Sequence, residues 1–176
     1  MELTSREAWG LVHGIVLGGF FLVAFAGVVV GLWSFRGPVT AEGVKERLRR
    51  LWIGTWGLAI VAWAVVVTGT YVVYPWYRAS PPEGTTDLSQ YPRSFLLGNP
   101  DTDLWHKFAM EWKEHITWTT PVLTTAVAFI VSYYGWRLAY NSKMRYAALA
   151  LFILAFAAAA IGGILGGLIT KKAPIL

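Results

Sequence analysis

The chain contains no cysteine. Disulfides, thiolate metal sites, iron–sulfur clusters and covalently attached c-type haem all need that sulfur, so any metal held here must be bound by His, Met, Asp or Glu. Charge is also scarce and unevenly spread. No Asp, Glu, Lys or Arg occurs in residues 9–33, 51–74, 116–136 or 147–169, which argues against a proton or cation path built from buried carboxylates. Other signatures are missing too: a nucleophile beside a base, a glycine-rich phosphate loop, and the inverted repeats or paired broken helices of secondary transporters. Chemistry by the chain alone and transport are therefore both disfavoured.

The four uncharged stretches are also the most informative feature present. About twenty apolar residues at a rise of about 1.5 Å match a hydrocarbon core of roughly 30 Å, so each reads as a transmembrane helix. With 176 residues and a hydrophobic fraction of 56%, residues 1–176 have room for one all-α, four-helix transmembrane bundle and no separate soluble domain. The net charge of +5 would suggest nucleic acid in a soluble protein, but here the basic residues sit in the loops and nucleic acid is not an expected partner. Glu2 and Glu7 precede the first apolar run. That is unlike the basic start of a cleavable signal, so the first helix is expected to stay in the bilayer.

Arg36, Lys45, Arg47, Arg49 and Arg50 separate the first two stretches, and Arg137, Lys143 and Arg145 separate the last two. The long connection, residues 75–102, carries Arg78 and Arg93 against Glu83, Asp87 and Asp101. The positive-inside rule then places the two short loops in the cytoplasm and both termini outside (N-out, C-out), in the cell's inner (plasma) membrane; Lys171 and Lys172 pull mildly the other way.

Thr4 and Glu7 form a capping box that starts the first helix near Ser5, and Gly37 with Pro38 is expected to break it after Phe35. Gly10, Gly14 and Gly18, and again Gly27 and Gly31, let a helix or a flat ligand come close to the backbone. Thr40 is the expected N-cap of the second helix, which projects from the membrane and runs to Tyr74, where Pro75 stops it. Trp52, Trp56 and Trp63 lie on or near one side of it, in belt or packing roles. The connection holds five of the eight prolines and is expected to lack regular structure, with residues 91–97 lying on the membrane or, preferably, on a partner subunit. Asp103 should cap a third helix that starts outside the apolar core and kinks at Pro121, where Thr117, Thr120, Thr124 and Thr125 can satisfy the freed groups. In the fourth helix Gly162, Gly163, Gly166 and Gly167 give two overlapping close-packing patterns.

The chain has only three histidines. His13 lies just inside the first span and His115 just before the third, so both come to similar depth near the outer face. An intramembrane histidine is costly without a partner and is by default a functional candidate. One reading of the pair is that His13 bonds to a neighbouring helix while His115 sits at the interface. The other is that they clamp the axial positions of one b-type haem, with Gly10 and Gly14 leaving room beside His13. In this respect the chain resembles the small bacterial four-helix membrane cytochrome b-type subunits, a resemblance carried by the bundle plan, His13 and His115. It implies an electron-transfer subunit of a respiratory or photosynthetic oxidoreductase complex, with a quinone or an outer-face cytochrome as exchange partner. The alternative is a cofactor-free accessory subunit bound into a larger membrane assembly by its long loop and glycine faces.

His106, Met110, Glu111, Glu114 and His115 form a second constellation. Glu111 and His115 fall about 40° apart on a helix and His106 and His115 about 180° apart, so a protein-only metal site drawing on His106 and Glu111 would be incomplete without other ligands. A solvated face with an ion pair between Lys107 and Glu111 accounts for the same residues.

Overall fold

The computed structural model describes residues 3–36 and 40–173. It is 83% helical, with no strand among the described residues. Four helices are long and apolar enough to cross a membrane: α1 (Ser5–Ser34), α2 (Ala41–Arg78), α4 (Trp105–Ala139) and α5 (Ser142–Lys172). A short helix, α3 (Pro92–Leu97), lies in the long connection. Chain neighbours pack against each other, and α1 closes the ring against α5. The bundle therefore has a loop end, where the 79–104 connection lies, and a basic end, where the two short connections lie.

The two capping expectations hold in atomic detail. Thr4 accepts from the Glu7 amide at 3.2 Å while Glu7 Oε2 accepts from the Thr4 amide at 2.8 Å, which satisfies donors that an α-helix leaves orphaned at its start. Thr40 accepts from the Gly43 amide at 3.2 Å. The expected break at Gly37 and Pro38 lies outside the described residues. Phe21, Val28, Leu32, Leu58, Val127, Val131, Ala148 and Phe152 form the main core, so each long helix contributes one apolar stripe to the interior.

Two indole N–H groups tie α2 to α4. Trp56 donates to Ser132 at 2.9 Å and Trp63 to Thr125 at 3.1 Å. The donors and the acceptors are each spaced two helical turns apart on antiparallel helices, so one register satisfies both bonds. These tryptophans thus pin helices together, which goes beyond the packing role expected for them. At the basic end, Gly135 takes φ 52°, a left-handed conformation that glycine adopts at least cost, and terminates the long α-helical part of α4. Buried Arg145 then donates to the Leu138 and Ala139 carbonyls at 3.3 and 3.2 Å, putting a cation on the negative end of the helix.

Four sequence expectations need correction. Pro75 does not stop α2, which continues to Arg78; the proline occupies the first turn of a reset helical stretch, where its missing N–H is not needed. The connection is not wholly irregular, and its apolar residues divide, with Phe95 exposed and others turned inward. It forms α3, and Leu96, 0% exposed, joins Tyr77, Ala109, Met110, Ile169 and Ala173 in a second core. Lys107 pairs with Asp103 rather than Glu111. Asp103 makes no side-chain cap, and its backbone carbonyl instead accepts from the His106 and Lys107 amides.

The break in α4 falls at Thr117–Trp118, one turn ahead of Pro121. The Thr117 carbonyl, which Pro121 cannot reach, accepts from the Thr120 amide at 3.2 Å. Thr119 donates to the Ile116 carbonyl at 2.6 Å, so a threonine outside the expected set takes up a freed acceptor. Thr124 and Thr125 donate back to the Pro121 carbonyl at 3.1 and 2.7 Å, and Thr120 crosses to the Ala155 carbonyl of α5 at 3.2 Å.

Candidate functional site

A cluster of polar side chains, all three histidines among them, lies at the loop end of the bundle, where three helices leave regular geometry. Residues Val12–Gly18 of α1, Gly69–Val73 of α2 and Trp105–Met110 of α4 form wide π-type turns. Such turns commonly occur where a helix carries a functional side chain. His13 lies in the first and His106 in the third.

His13 is half-buried against α2. Its Nδ1 is 3.2 Å from Thr68 Oγ1, and that hydroxyl donates its own proton to the Ala64 carbonyl at 2.7 Å. The hydroxyl therefore has only lone pairs to offer the ring, so Nδ1 carries the hydrogen and Nε2 the lone pair. The imidazole lies across Gly69. A Cβ at that position would stand 2.7 Å from His13 Cε1 and 3.3 Å from Nε2, so only glycine lets the ring lie this close to the α2 backbone.

His115 is exposed. Its Nδ1 donates to the Glu111 carbonyl of its own helix at 2.7 Å, which leaves Nε2 as the free lone pair. It lines an open groove with Glu111, Trp112 and Ile116, all from the same helix. The two histidines therefore end at the same end of the bundle but in different surroundings: His13 is laid against α2 and His115 faces out from α4. A porphyrin clamped by both would need each ring presented to one shared slot; as placed, His13 Nδ1 is engaged by Thr68 and His115 Nδ1 by the Glu111 carbonyl, and each ring keeps its Nε2 lone pair. Gly10 and Gly14 have no atom of another helix within 4 Å of where a Cβ would sit, so the space beside them is open and no neighbouring helix of this chain closes it.

His106 is the most enclosed of the three, 5% exposed. Arg93 of α3 donates through Nε to His106 Nε2 at 3.2 Å, so Nε2 must carry a lone pair and the ring is the neutral Nδ1–H form. Nδ1 lies 3.0 Å from Tyr77 Oη of α2 and donates to it. Both ring nitrogens are engaged, so His106 has no lone pair free for a metal. Among the described residues no group of three or more His, Asp or Glu side chains could hold a metal ion.

The remaining members of the cluster were not singled out from the sequence as a buried set. Tyr74 accepts from Arg78 at 2.9 Å, which leaves its own O–H to donate. Glu114 has a buried carboxylate oxygen, Oε1, with no hydrogen-bond partner. The aliphatic stem of Lys113 runs against Gly166 of α5, where a Cβ would meet Cε at 3.0 Å. A sequence signal did exist for Lys113 and Glu114: the loop-end part of α4 alternates charge with Trp112 and Ile116 too closely for any face to remain fully in water.

The chain matches no protein-family model, no curated protein and no solved structure. The class that the fold and this site define is a multi-pass α-helical membrane protein with a polar cluster at one end of its bundle.

Proposed function

We propose that this protein is an accessory subunit of a larger assembly in the plasma membrane, with both termini and the long connection outside and the two basic connections in the cytoplasm. The positive-inside pattern supports that orientation. One observation carries the subunit reading. Gly10 and Gly14 of α1, and Gly163 and Gly167 of α5, have no atom within 4 Å of where a Cβ would sit. Their neighbours Gly162 and Gly166 on the same α5 close against Thr117 and Lys113. The chain thus carries more close-packing glycine surface than its own bundle uses. Helix α1 supports the same reading, since 17% of its apolar window is buried, against 33% for each of the other three. Between lipid-immersed helices, small residues are what allow backbones to approach, so an open pair of this kind suits a helix of a neighbouring subunit.

The test is a Gly10→Leu, Gly14→Leu double variant. It should leave helicity and tryptophan fluorescence as in the wild type, because no other helix of the chain lies within 4 Å of where either Cβ would sit. It should also release the copurifying subunits when the complex is isolated in mild detergent and sized. A wild-type particle that contains this chain alone, with a size the variant does not change, overturns the proposal. So does a sharp b-type α band in the reduced-minus-oxidised visible spectrum that disappears in His13→Ala or His115→Ala. That band would favour the electron-transfer reading, with a haem and a quinone or cytochrome partner.

A further inference from the structure

We infer that the Tyr77–His106–Arg93 chain is a proton-sensitive latch that holds α3 and the long connection onto the bundle. Which atoms carry hydrogens decides how this chain of bonds responds to a proton. Arg93 Nε, a donor in every protonation state available to arginine, points at His106 Nε2 from 3.2 Å. That contact is a hydrogen bond only while Nε2 has a lone pair. Protonating His106 would set N–H against N–H and a cation against a cation. Tyr77 Oη, 3.0 Å from the other nitrogen, can accept from the neutral or the charged ring, so the bond to α2 survives the same event. The bundle half of the chain is insensitive to the proton and the loop half is not.

The charged and titratable groups packed around the ring act in the same direction. From α2 come Arg78 and the phenols of Tyr74 and Tyr77, from α3 comes Arg93, and from α4 itself come Glu111 and Glu114. The two arginines oppose a histidinium and the two carboxylates welcome it. Glu111 and Glu114 lie further along α4 and act on the ring through their charge alone. Protonation therefore breaks the tie to the loop arginine while leaving the ring its bond to Tyr77. What then remains at α3 is the burial of Leu96, the bond from Thr102 Oγ1 to the Leu96 carbonyl at 2.9 Å, and the bond from Arg6 to the Gln90 carbonyl at 3.3 Å. Neither of these bonds carries a titrating group in the histidine range.

The experiment is amide hydrogen exchange on the full chain in detergent or nanodiscs, taken from about pH 8 to about pH 4, because burial and then the Arg93 guanidinium hold His106 below the ordinary histidine range, and corrected for the intrinsic pH dependence of exchange. The Phe95 and Gly98 amides, which bond to the Tyr91 and Ser94 carbonyls, should lose protection about tenfold or more, the effect of losing a hydrogen bond to a charged group. Amides in the middle of α2 and α5 should not change. His106→Gln and Arg93→Gln each remove one side of the conflict and should make α3 protection independent of pH. His115→Gln, on the same helix but exposed, should retain the wild-type response. Equal α3 protection at both ends of the pH range in the wild type overturns the latch. So does a full pH response in both His106→Gln and Arg93→Gln.

Discussion

The close approach of His13 to Gly69 makes a quantitative prediction that isolates a single contact. Adding a methyl group at Gly69 puts a carbon 2.7 Å from Cε1 and 3.4 Å from Nδ1 of a ring already held by Thr68. The ring cannot slide without giving up that bond, so the strain falls in the overpacking range of about 1–3 kcal/mol. The better helix propensity of alanine returns up to about 1 kcal/mol. Gly57, three turns earlier on α2, has nothing within 4 Å, so Gly57→Ala should be neutral or stabilising. Chemical denaturation in mixed micelles, followed by tryptophan fluorescence, gives the difference between the two variants, expected at about 2 kcal/mol. The decisive arm is a double-mutant cycle: in a His13→Ala background the ring is gone, and Gly69→Ala should cost nothing. A coupling of about 1–3 kcal/mol is the expected result for residues in direct contact. If Gly69→Ala behaves like Gly57→Ala, or if its cost persists without His13, the placement of His13 against α2 is wrong.

Trp56→Phe and Trp63→Phe should each lower bundle stability by about 0.5–1.5 kcal/mol through loss of one interhelical bond. They should be additive, since the two bonds lie about 10 Å apart along the helix and share no partner; the same unfolding assay on the double variant checks this. Gly162→Ala drives a methyl group into Thr117 of α4 and should cost about 1–3 kcal/mol, whereas Gly163→Ala meets nothing and should be neutral in the isolated chain; paired thermal melts separate them. Leu96→Ala empties a fully buried position and should destabilise the α3 contact by about 2–5 kcal/mol. The effect should appear as faster proteolysis of residues 79–104 while the long helices remain intact.

Much of the fold was legible because the signals that mark it are local and strong. Four uncharged runs set the helix count, and Thr4 with Glu7, and Thr40, marked two helix starts to the residue. What failed was long-range or needed a choice between equals. Asp103 and Glu111 lie equally far along the chain from Lys107, and spacing cannot decide which one pairs. The structure selects Asp103, which places the carboxylate toward the start of the helix, where the dipole favours it. Pro75 was read as a stop because proline breaks a helix interior. It is accommodated because the wide turn at Gly69–Val73 has already loosened the hydrogen-bond ladder before it, and composition does not record such a turn.

The same limit governs what the sequence can say of the direction in which each histidine faces. Counting residues from a helix start gives the height of His13 and His115 well, since rise per residue is nearly constant. It gives the direction each faces poorly, because one additional residue in a turn rotates everything beyond it by about 100°. Three of the four long helices contain such a turn at the loop end, the region where the histidines had to be aligned. The glycines make the same point from the other side. Gly162 and Gly163 share a helix, a spacing pattern and a composition, yet the first abuts Thr117 and the second meets no neighbour within 4 Å. A small-residue pattern read from sequence therefore establishes that close approach is permitted. Only the rotation of the helix about its axis decides whether the chain uses that permission itself or leaves it open to another subunit.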